Sequence, residues 1–356
     1  MKIAARVPLG LNNQFASDNY AGICPEAWKA LENVSAGYAN SYGDDLHTAR
    51  ACNLLREFFE TDCQVFFVFN GTAANSLALA SLCQSYHSII CPESAHIETD
   101  ECGAVEFFSN GTKVLLVPSL EGKIDLAAAE HAITRRTDIH YPKPKVLSIA
   151  QPTELGTVYR VDEMKAVGAL ARKYDMKLHV DGARFANAVA SLQVAPKEIS
   201  WQAGVDVVTF GGTKNGLAVG EAVIFFDARL AREFDYRCKQ AGQLASKMRF
   251  LSAPWSGMLV DGALLRHAAH ANHYARELAA GLSGIAGLEV VYPCQANSVF
   301  IRMPESLIEA LRQRGWHFYT FIGSGLARFM CSWSTCQADI DALVGDVREM
   351  AAATQG

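Results

Sequence analysis

The sequence predicts an α/β protein built on a mainly parallel sheet. Short apolar runs rich in Val, Ile, Leu and Phe are bounded by turn residues, which is typical of buried strands. Strand and helix patterns alternate from Val65 to Phe226, and this alternation favours a parallel sheet with crossover helices. Because 50% of the 356 residues are hydrophobic, the chain can bury a sizeable core.

The strands and helices follow in order along the chain. Strands are expected at 65–69, 88–91, 114–117, 146–150, 178–180, 205–210 and 221–226. Helices are expected from near Pro25 and over 46–60, 76–85, 126–134, 162–174, 229–243 and 258–282. The length fits two domains. We therefore expect an N-terminal arm over 1–24, a large domain over 25–250 and a small C-terminal domain over 251–356.

Composition and charge exclude several classes of protein. The net charge of −5 and the pI near 6.1 do not indicate nucleic-acid binding. No apolar run approaches the roughly 20 residues that span a bilayer, and the N-terminal residues resemble no signal peptide. The ten cysteines show no C-x-x-C spacing, so a reducing cytoplasm is the expected compartment. His267, His270 and His273 recur every three residues, but no neighbouring acid or cysteine completes a metal site, so no metal is predicted.

The most informative stretch carries an acid and a lysine at two neighbouring strand ends. Asp181 ends the 178–180 run, and Lys214 follows the 205–210 run after a Gly-Gly-Thr turn. Taken singly, each would be read as a solvated surface residue. Ligands of open α/β sheets bind beyond the carboxyl ends of the strands, so the pair is expected to face one cleft. Pyridoxal phosphate (PLP) chemistry uses such a pair, because a lysine holds the cofactor as a Schiff base and a carboxylate pairs with the pyridine nitrogen.

The DGAR motif at 181–184, with a lysine after a Gly-Thr turn, resembles the fold-type I PLP enzymes, and in detail the low-specificity L-threonine aldolases. The resemblance covers about residues 15–345. It implies an aspartate-aminotransferase-like fold, with a seven-stranded sheet in the large domain and a smaller C-terminal α+β domain. It also implies PLP as cofactor, a small amino-acid substrate, and a homo-oligomer (dimer or tetramer) whose subunits share active sites.

A small-residue turn follows the 65–69 strand and opens a helix. Free N–H groups and the helix dipole at such a turn attract a phosphate, with Gly71 allowing close approach and Thr72 adding a hydroxyl. The turn resembles the Ser-Gly-Thr phosphate loop of the aldolases, with Asn70 in place of serine.

The resemblance implies further cofactor-binding residues. His96 is placed where the family stacks a histidine on the pyridine ring, and Arg184 belongs to the DGAR motif. Lys239 and Arg249 would lend charge to the phosphate of a neighbouring subunit.

It also implies substrate-binding residues. Ser17 and Arg328 would hold the α-carboxylate, with Arg302 as a rival to Arg328. Tyr42 would reach a neighbouring active site, and His140 would lie near the substrate hydroxyl. Asp100, which stands where the family often has an aromatic residue, and Glu154, which is displaced from a family acid, are left without a role.

The expected function is retro-aldol cleavage of threonine, allo-threonine and related β-hydroxy-α-amino acids to glycine and an aldehyde. The catalytic residues would be Lys214, Asp181, His96 and His140, with either histidine or a water between them as the base. A phenylserine-preferring aldolase, a fold-type I aminotransferase and a module that binds PLP without turnover are the alternatives.

Overall fold

The computed structural model describes residues 13–320 and 325–353, so residues 1–12 of the expected arm lie outside the described residues. The strands are β1 Gln64–Val68, β2 His87–Pro92, β3 Lys113–Val117, β4 Ser119–Leu120, β5 Lys123–Ile124, β6 Lys143–Ala150, β7 Lys177–Gly182, β8 Val207–Phe210, β9 Glu221–Phe225, β10 Glu289–Val290, β11 Ser298–Arg302, β12 Tyr319–Thr320 and β13 Leu326–Met330. The helices are α1 Pro25–Val34, α2 Leu46–Phe59, α3 Gly71–Leu82, α4 His96–Thr99, α5 Ala104–Phe108, α6 Leu126–Thr134, α7 Val161–Lys173, α8 Phe185–Leu192, α9 Phe234–Gln240, α10 Arg249–Leu259, α11 Ala263–Leu282, α12 Glu305–Gln313 and α13 Gln337–Ala353. Short 3₁₀ turns lie at Asp18–Tyr20, Pro196–Ile199, Trp201–Ala203, Thr213–Asn215 and Val260–Gly262.

The predicted mainly parallel sheet is confirmed and has seven strands in the order β1-β9-β8-β7-β6-β2-β3. Only β9 runs antiparallel to its neighbours within this sheet. Asp181 lies in register between Ala150 of β6 and Thr209 of β8. The carboxyl ends of the three central strands therefore meet at one edge.

The inner strands are buried on both faces because helices cover the sheet on both sides. Every residue of β2, β8 and β9 is buried. No helix among the described residues is both long and apolar enough to cross a membrane.

A second sheet lies towards the C-terminus, with four antiparallel strands in the order β10-β11-β13-β12. Its core includes Phe15, whose ring packs 6.0 Å from that of Trp316 and 6.3 Å from that of Phe329, measured between ring centroids. The backbone of Phe15 also donates to His317 O and accepts from Met330 N. The chain just before Ser17 is thus attached to this sheet. The domain limits at 24/25 and 250/251 stay a prediction.

Three helices differ from the sequence-based expectation. α3 begins at Gly71 rather than near 76, because Asn70 acts as an N-cap and accepts a hydrogen bond from Ala73 N at 2.9 Å. The helix expected over 258–282 is two helices, since Asp261 (φ 55°) and Gly262 (φ 67°) take left-handed conformations. The helix expected over 229–243 is confined to α9.

Most of the cysteines behave as small core residues. All ten fall within the described residues as free thiols, and six of them are buried. Burial raises the pKa of the Cys91 thiol to about 12, so this side chain is an uncharged packing group.

Candidate active site

The carboxyl edge of the seven-stranded sheet opens into a cavity of about 340 Å³, which we call the inner compartment. Asp181 enters it from the end of β7, and Lys214 enters it from the 3₁₀ turn that follows β8. Gly71 and Thr72 line it at the first turn of α3. The structure therefore brings the acid, the lysine and the expected phosphate turn together around one space.

A larger cavity of about 1020 Å³, the outer compartment, adjoins the inner one. His96, Glu154 and Lys214 line both compartments, so the two spaces communicate past these side chains. Ser17, Asp100, Arg184 and Arg328 lie in its wall, together with Tyr20 and Tyr319, whose hydroxyls are 2.9 Å apart. An amino acid placed in the outer compartment would reach Lys214 at its inner end.

Asp181 is only 8% exposed and is held as an anion. Burial alone would raise the pKa of this carboxyl, but the charges of His96 and Lys214 and two hydrogen bonds outweigh it, so the pKa is lowered. Ala183 N donates to Oδ1 at 3.0 Å, and Asn75 Nδ2 donates to Oδ2 at 2.8 Å. A fixed, ionised carboxylate of this kind is suited to pair with a protonated pyridine nitrogen.

The turn that carries Lys214 packs tightly against neighbouring backbone. A Cβ on Gly211 would lie 2.1 Å from Ala183 O, so only glycine fits there. Glu221 of β9 accepts a hydrogen bond from Gly212 N at 2.6 Å and lines the inner compartment. Burial raises the pKa of the Glu221 carboxyl to about 7. These contacts set the direction from which the lysine enters the cavity.

The first turn of α3 has the chemistry and the space for a phosphate. The leading N–H groups of a helix have no partner within the helix, and its dipole favours an anion there. A Cβ built on Gly71 would meet no atom within 4 Å, so this turn faces open space. The donor set of amine, carboxylate and helix N-terminus thus fits PLP, with its aldehyde, pyridine nitrogen and phosphate.

Arg184 of the DGAR motif forms a two-pronged ion pair with Asp18. Arg184 Nε donates to Asp18 Oδ2 at 2.6 Å, and Nη2 donates to Oδ1 at 2.9 Å. Asn297 Nδ2 adds a third hydrogen bond to Oδ2 at 3.0 Å. Burial opposes ionisation of Asp18, but Arg184 outweighs it and lowers the pKa of this carboxyl. Beside this pair, Ser17 Oγ accepts from Asn19 N at 3.1 Å, which leaves its O–H available as a donor.

Replacing Asp18 with alanine is expected to destabilise the fold by about 3–5 kcal/mol, because it leaves the charge of the largely buried Arg184 without its partner. Asp138→Ala is the matched control, since the Arg136–Asp138 pair (2.8 Å) is on the surface and should contribute at most about 1 kcal/mol. Thermal unfolding of both variants measures the difference. Equal melting temperatures would show that the Asp18–Arg184 pair contributes no more to stability than the surface pair does.

Arg328 and its rival Arg302 lie in different surroundings. Arg328 of β13 lines the outer compartment, with its guanidinium 5.4 Å from the centre of the Tyr319 ring. Arg302 of β11 is exposed and forms an ion pair with Glu289. Only Arg328 is therefore placed to reach a carboxylate in the cavity.

Four of the expected site residues line neither compartment of this chain. His140 is exposed, and its backbone N–H donates to Asp138. Tyr42 and Lys239 meet on the surface, with the ammonium 4.6 Å from the ring centre. Arg249 lies at the start of α10, where Nε donates to Val34 O at 3.1 Å. If these residues contribute to an active site, it is that of another subunit.

The structure adds three residues for which the sequence suggested no role. Asn75 and Glu101 are both 3% exposed and connect Asp181 to His96 through hydrogen bonds. Glu154 lines both compartments, and burial together with the charge of Asp181 raises the pKa of its carboxyl. Asn75 belongs to the stretch that contains the predicted phosphate turn, but no local sequence pattern indicated a role for Asn75 or Glu101.

His267 has neighbours that the sequence did not reveal. Cys24 and Glu26 lie beside it, with one ligand atom of each residue within 4.8 Å of the others. An acid and a cysteine thus lie beside one of the three histidines, His267, which the sequence pattern did not indicate. His267 Nε2 is 2.8 Å from Glu26 Oε2, and the Cys24 thiol points at Met258 Sδ, so the three side chains already have partners.

Comparisons with known proteins agree with this geometry. The sequence profile of the β-eliminating lyase family matches residues 14–306. The chain is 61% identical over 342 residues to the low-specificity L-threonine aldolase of Pseudomonas sp. (strain NCIMB 10558), covering 96% of this chain and 99% of the relative. It is 60% identical to the corresponding protein of Pseudomonas aeruginosa over 94% of this chain and 97% of that one. The solved structure of Leishmania major threonine aldolase superposes with a TM-score of 0.90 at 28% identity, covering 96% of this chain and 100% of that one.

The fold, with an acid and a lysine facing one cavity at the sheet edge, defines the class of fold-type I PLP-dependent enzymes. Within that class, the chain belongs to the low-specificity L-threonine aldolase family and is a lyase.

Proposed function

We propose that the protein cleaves L-threonine, L-allo-threonine and related β-hydroxy-α-amino acids to glycine and an aldehyde, with PLP as cofactor. The observation that carries the proposal is the shared inner compartment, where Lys214 and Asp181 face the first turn of α3. The adjoining outer compartment is large enough for an amino acid and contains Arg328 and Ser17.

Residues of the inner compartment would hold the cofactor. Lys214 would hold its aldehyde carbon, Asp181 would pair with its pyridine nitrogen, and Gly71 and Thr72 would contact its phosphate. Arg184 lies in the outer compartment next to Lys214 and would add positive charge there. When bound, PLP supplies an electron sink for the electrons released as the Cα–Cβ bond breaks.

The outer compartment would hold the substrate by its carboxylate. The planar fork of Arg328 can donate two parallel hydrogen bonds to a carboxylate, and the free O–H of Ser17 can donate a third. His96 and Asp100 line the same compartment, so a substrate held there would lie near both side chains.

His96 would take the proton of the β-hydroxyl. It is the only histidine among the described residues that lines either compartment, so it is favoured over His140 as the base. The ionised Asp181 keeps its charge throughout, because its pKa is lowered by the charges and hydrogen bonds around it. Loss of this proton would let the carbonyl of the aldehyde form as the Cα–Cβ bond breaks, and one proton taken up at Cα would complete glycine.

Association of several subunits, as a dimer or homotetramer in the cytoplasm, is part of the proposal. Tyr42 and Lys239 lie on the surface, and Tyr38 and Leu46 nearby are 108% and 86% exposed. A second subunit covering this surface would bury these side chains and could receive Tyr42, Lys239 and Arg249 at its own site. The free thiols suit a reducing compartment.

Aldehyde release tests the proposed function. The purified protein, supplied with PLP, is expected to release one aldehyde per glycine from threonine, allo-threonine and phenylserine isomers, measured with a coupled aldehyde reductase. Pocket contacts worth about 1–3 kcal/mol decide the order of preference among these substrates. An aminotransferase would instead convert the cofactor to pyridoxamine phosphate with an amino acid alone. A PLP-binding module would show cofactor absorbance and no aldehyde, and either result would refute the proposal.

A further inference from the structure

His96 forms a hydrogen bond with a buried carboxyl group, that of Glu101. Glu101 follows α4, is 3% exposed, and places Oε1 2.8 Å from His96 Nδ1. The same oxygen accepts a hydrogen bond from Asn75 Nδ2 at 2.7 Å. Glu101 Oε2 is buried and has no hydrogen-bond partner among the described residues. All of the polar contacts of this carboxyl therefore pass through one oxygen.

The orientation of Asn75 is determined by its three partners. Its amide nitrogen donates both to Glu101 and, at 2.8 Å, to Asp181. Its carbonyl oxygen accepts from Thr209 Oγ1 at 2.7 Å. A flipped amide would direct an oxygen at two carboxylates, which would repel it. Asn75 thus separates the two acids, and because it donates a hydrogen bond to each of them, the cluster of His96, Glu101 and Asp181 is a hydrogen-bonded network in this structure.

This network decides which nitrogen of His96 carries the proton. Nδ1 faces an acceptor oxygen that already receives one N–H, so Nδ1 must be the donor. In the neutral ring, Nε2 then has a free lone pair, and it lies 3.5 Å from Asp100 Oδ2 in the outer compartment.

We infer that Glu101 is a positioning residue for the cleavage reaction, holding the His96 ring with Nδ1–H inward so that Nε2 can accept the β-hydroxyl proton. The inference rests on the proposed function, in which His96 is the base. It deepens that function because the proton received at Nε2 makes an imidazolium, which the buried carboxylate stabilises, as in other His–carboxylate pairs.

The charges around His96 support the same assignment. Burial lowers the pKa of its imidazole, but the hydrogen bond to Glu101 and the charges of Asp181 and Glu154 outweigh it, and the net shift is upwards despite Lys214. Asp100 also faces the ring from the end of α4. Burial raises the pKa of the Glu101 carboxyl, while its hydrogen bonds with His96 and Asn75 oppose that shift and favour the carboxylate. Removing this carboxylate lowers the pKa of His96. Because a base works above its pKa, activity then extends to lower pH.

Two substitutions in the full-length enzyme with PLP test the inference. Glu101→Gln keeps an Oε1 acceptor but no charge, and it should retain kcat within about tenfold while the acid limb of kcat/KM for threonine moves to lower pH. Glu101→Leu removes the acceptor and should lower kcat by about 10²–10³-fold with little change in KM. Glu98→Gln is the matched control, because Glu98 is exposed in α4, the helix that carries His96, and lines neither compartment.

A second measurement does not depend on activity or on the stability of the leucine variant. Selective ¹⁵N labelling of histidine should show His96 protonated at Nδ1 and unprotonated at Nε2, with the signals assigned by their loss in His96→Asn. The opposite tautomer would overturn the inference. So would equal losses of rate in both Glu101 variants without a shift of the acid limb, or no loss in either. If the wild-type enzyme releases no aldehyde at all, the proposed function itself has failed.

Discussion

Replacing Lys214 with alanine is expected to abolish nearly all turnover and the visible absorbance of bound cofactor. Lys214 is the lysine that reaches the inner compartment, from a turn held by Gly211 and Glu221. No other lysine lines either compartment in the described part of the chain, so none can replace it. The expected loss is on the order of 10⁴-fold or more, which corresponds to about 5.4 kcal/mol of barrier at 1.36 kcal/mol per factor of ten.

The experiment needs spectra and rates from the same preparations. Lys173→Ala is the matched control, because Lys173 pairs with Glu130 at the surface of α7, and its absorbance and rate should equal those of the wild type. Adding a small primary amine should restore part of the turnover of Lys214→Ala if only the amine is missing. A Lys214→Ala variant with normal absorbance and rate would mean that the reaction centre lies elsewhere.

Asp181→Asn is expected to lower kcat by about 10³-fold, or about 4 kcal/mol of barrier, while the protein stays folded. The amide removes the negative charge that would keep the pyridine nitrogen protonated. It also turns an NH₂ group towards either Ala183 N or Asn75 Nδ2, which both donate to the present carboxylate. Charge and orientation are therefore lost together.

A control at the opposite end of the sheet separates chemistry from stability. Asp206 precedes β8, accepts a hydrogen bond from Leu178 N at 2.9 Å and pairs with Lys177 at 3.0 Å. Asp206→Asn should lower the melting temperature and leave kcat unchanged, which is the reverse of the pattern expected for Asp181→Asn. If Asp181→Asn kept the wild-type rate, another group would have to govern the cofactor ring.

The sequence predicted the sheet and the strand ends because both depend on local patterns. Apolar runs bounded by turns placed all seven strands of the large sheet, and the position of Asp181 and Lys214 at two strand ends predicted their common cavity. Parallel strands align their carboxyl ends, so proximity in space followed from topology alone.

The remaining parts of the site depend on contacts between distant segments. Glu101 reaches His96 because α4 ends after one turn, and Asn75 bridges two acids that lie 26 and 106 residues away. The hydrophobic periodicity of a sequence does not predict such contacts. The resemblance assigned Tyr42, Lys239 and Arg249 to the active site of a neighbouring subunit, and none of the three lines a compartment of this chain. The exposed position of His140 could not be predicted, because a resemblance assigns a role to a residue without giving the conformation of its loop.

The attachment of the N-terminal segment to the second sheet separates the proposed ligands of the substrate carboxylate from the proposed cofactor-binding residues. Phe15 packs in the core of the second sheet, and Arg328 Nη2 donates to Ala16 O at 3.4 Å, so both proposed carboxylate ligands, Ser17 and Arg328, lie next to this sheet. Asp181 and Lys214 lie at the ends of β7 and β8 in the seven-stranded sheet. The Asp18–Arg184 ion pair connects the segment next to Ser17 with the end of β7, so a motion that separates these two segments must stretch or break it. This ion pair would therefore couple substrate binding at Ser17 and Arg328 to the distance between these residues and Lys214.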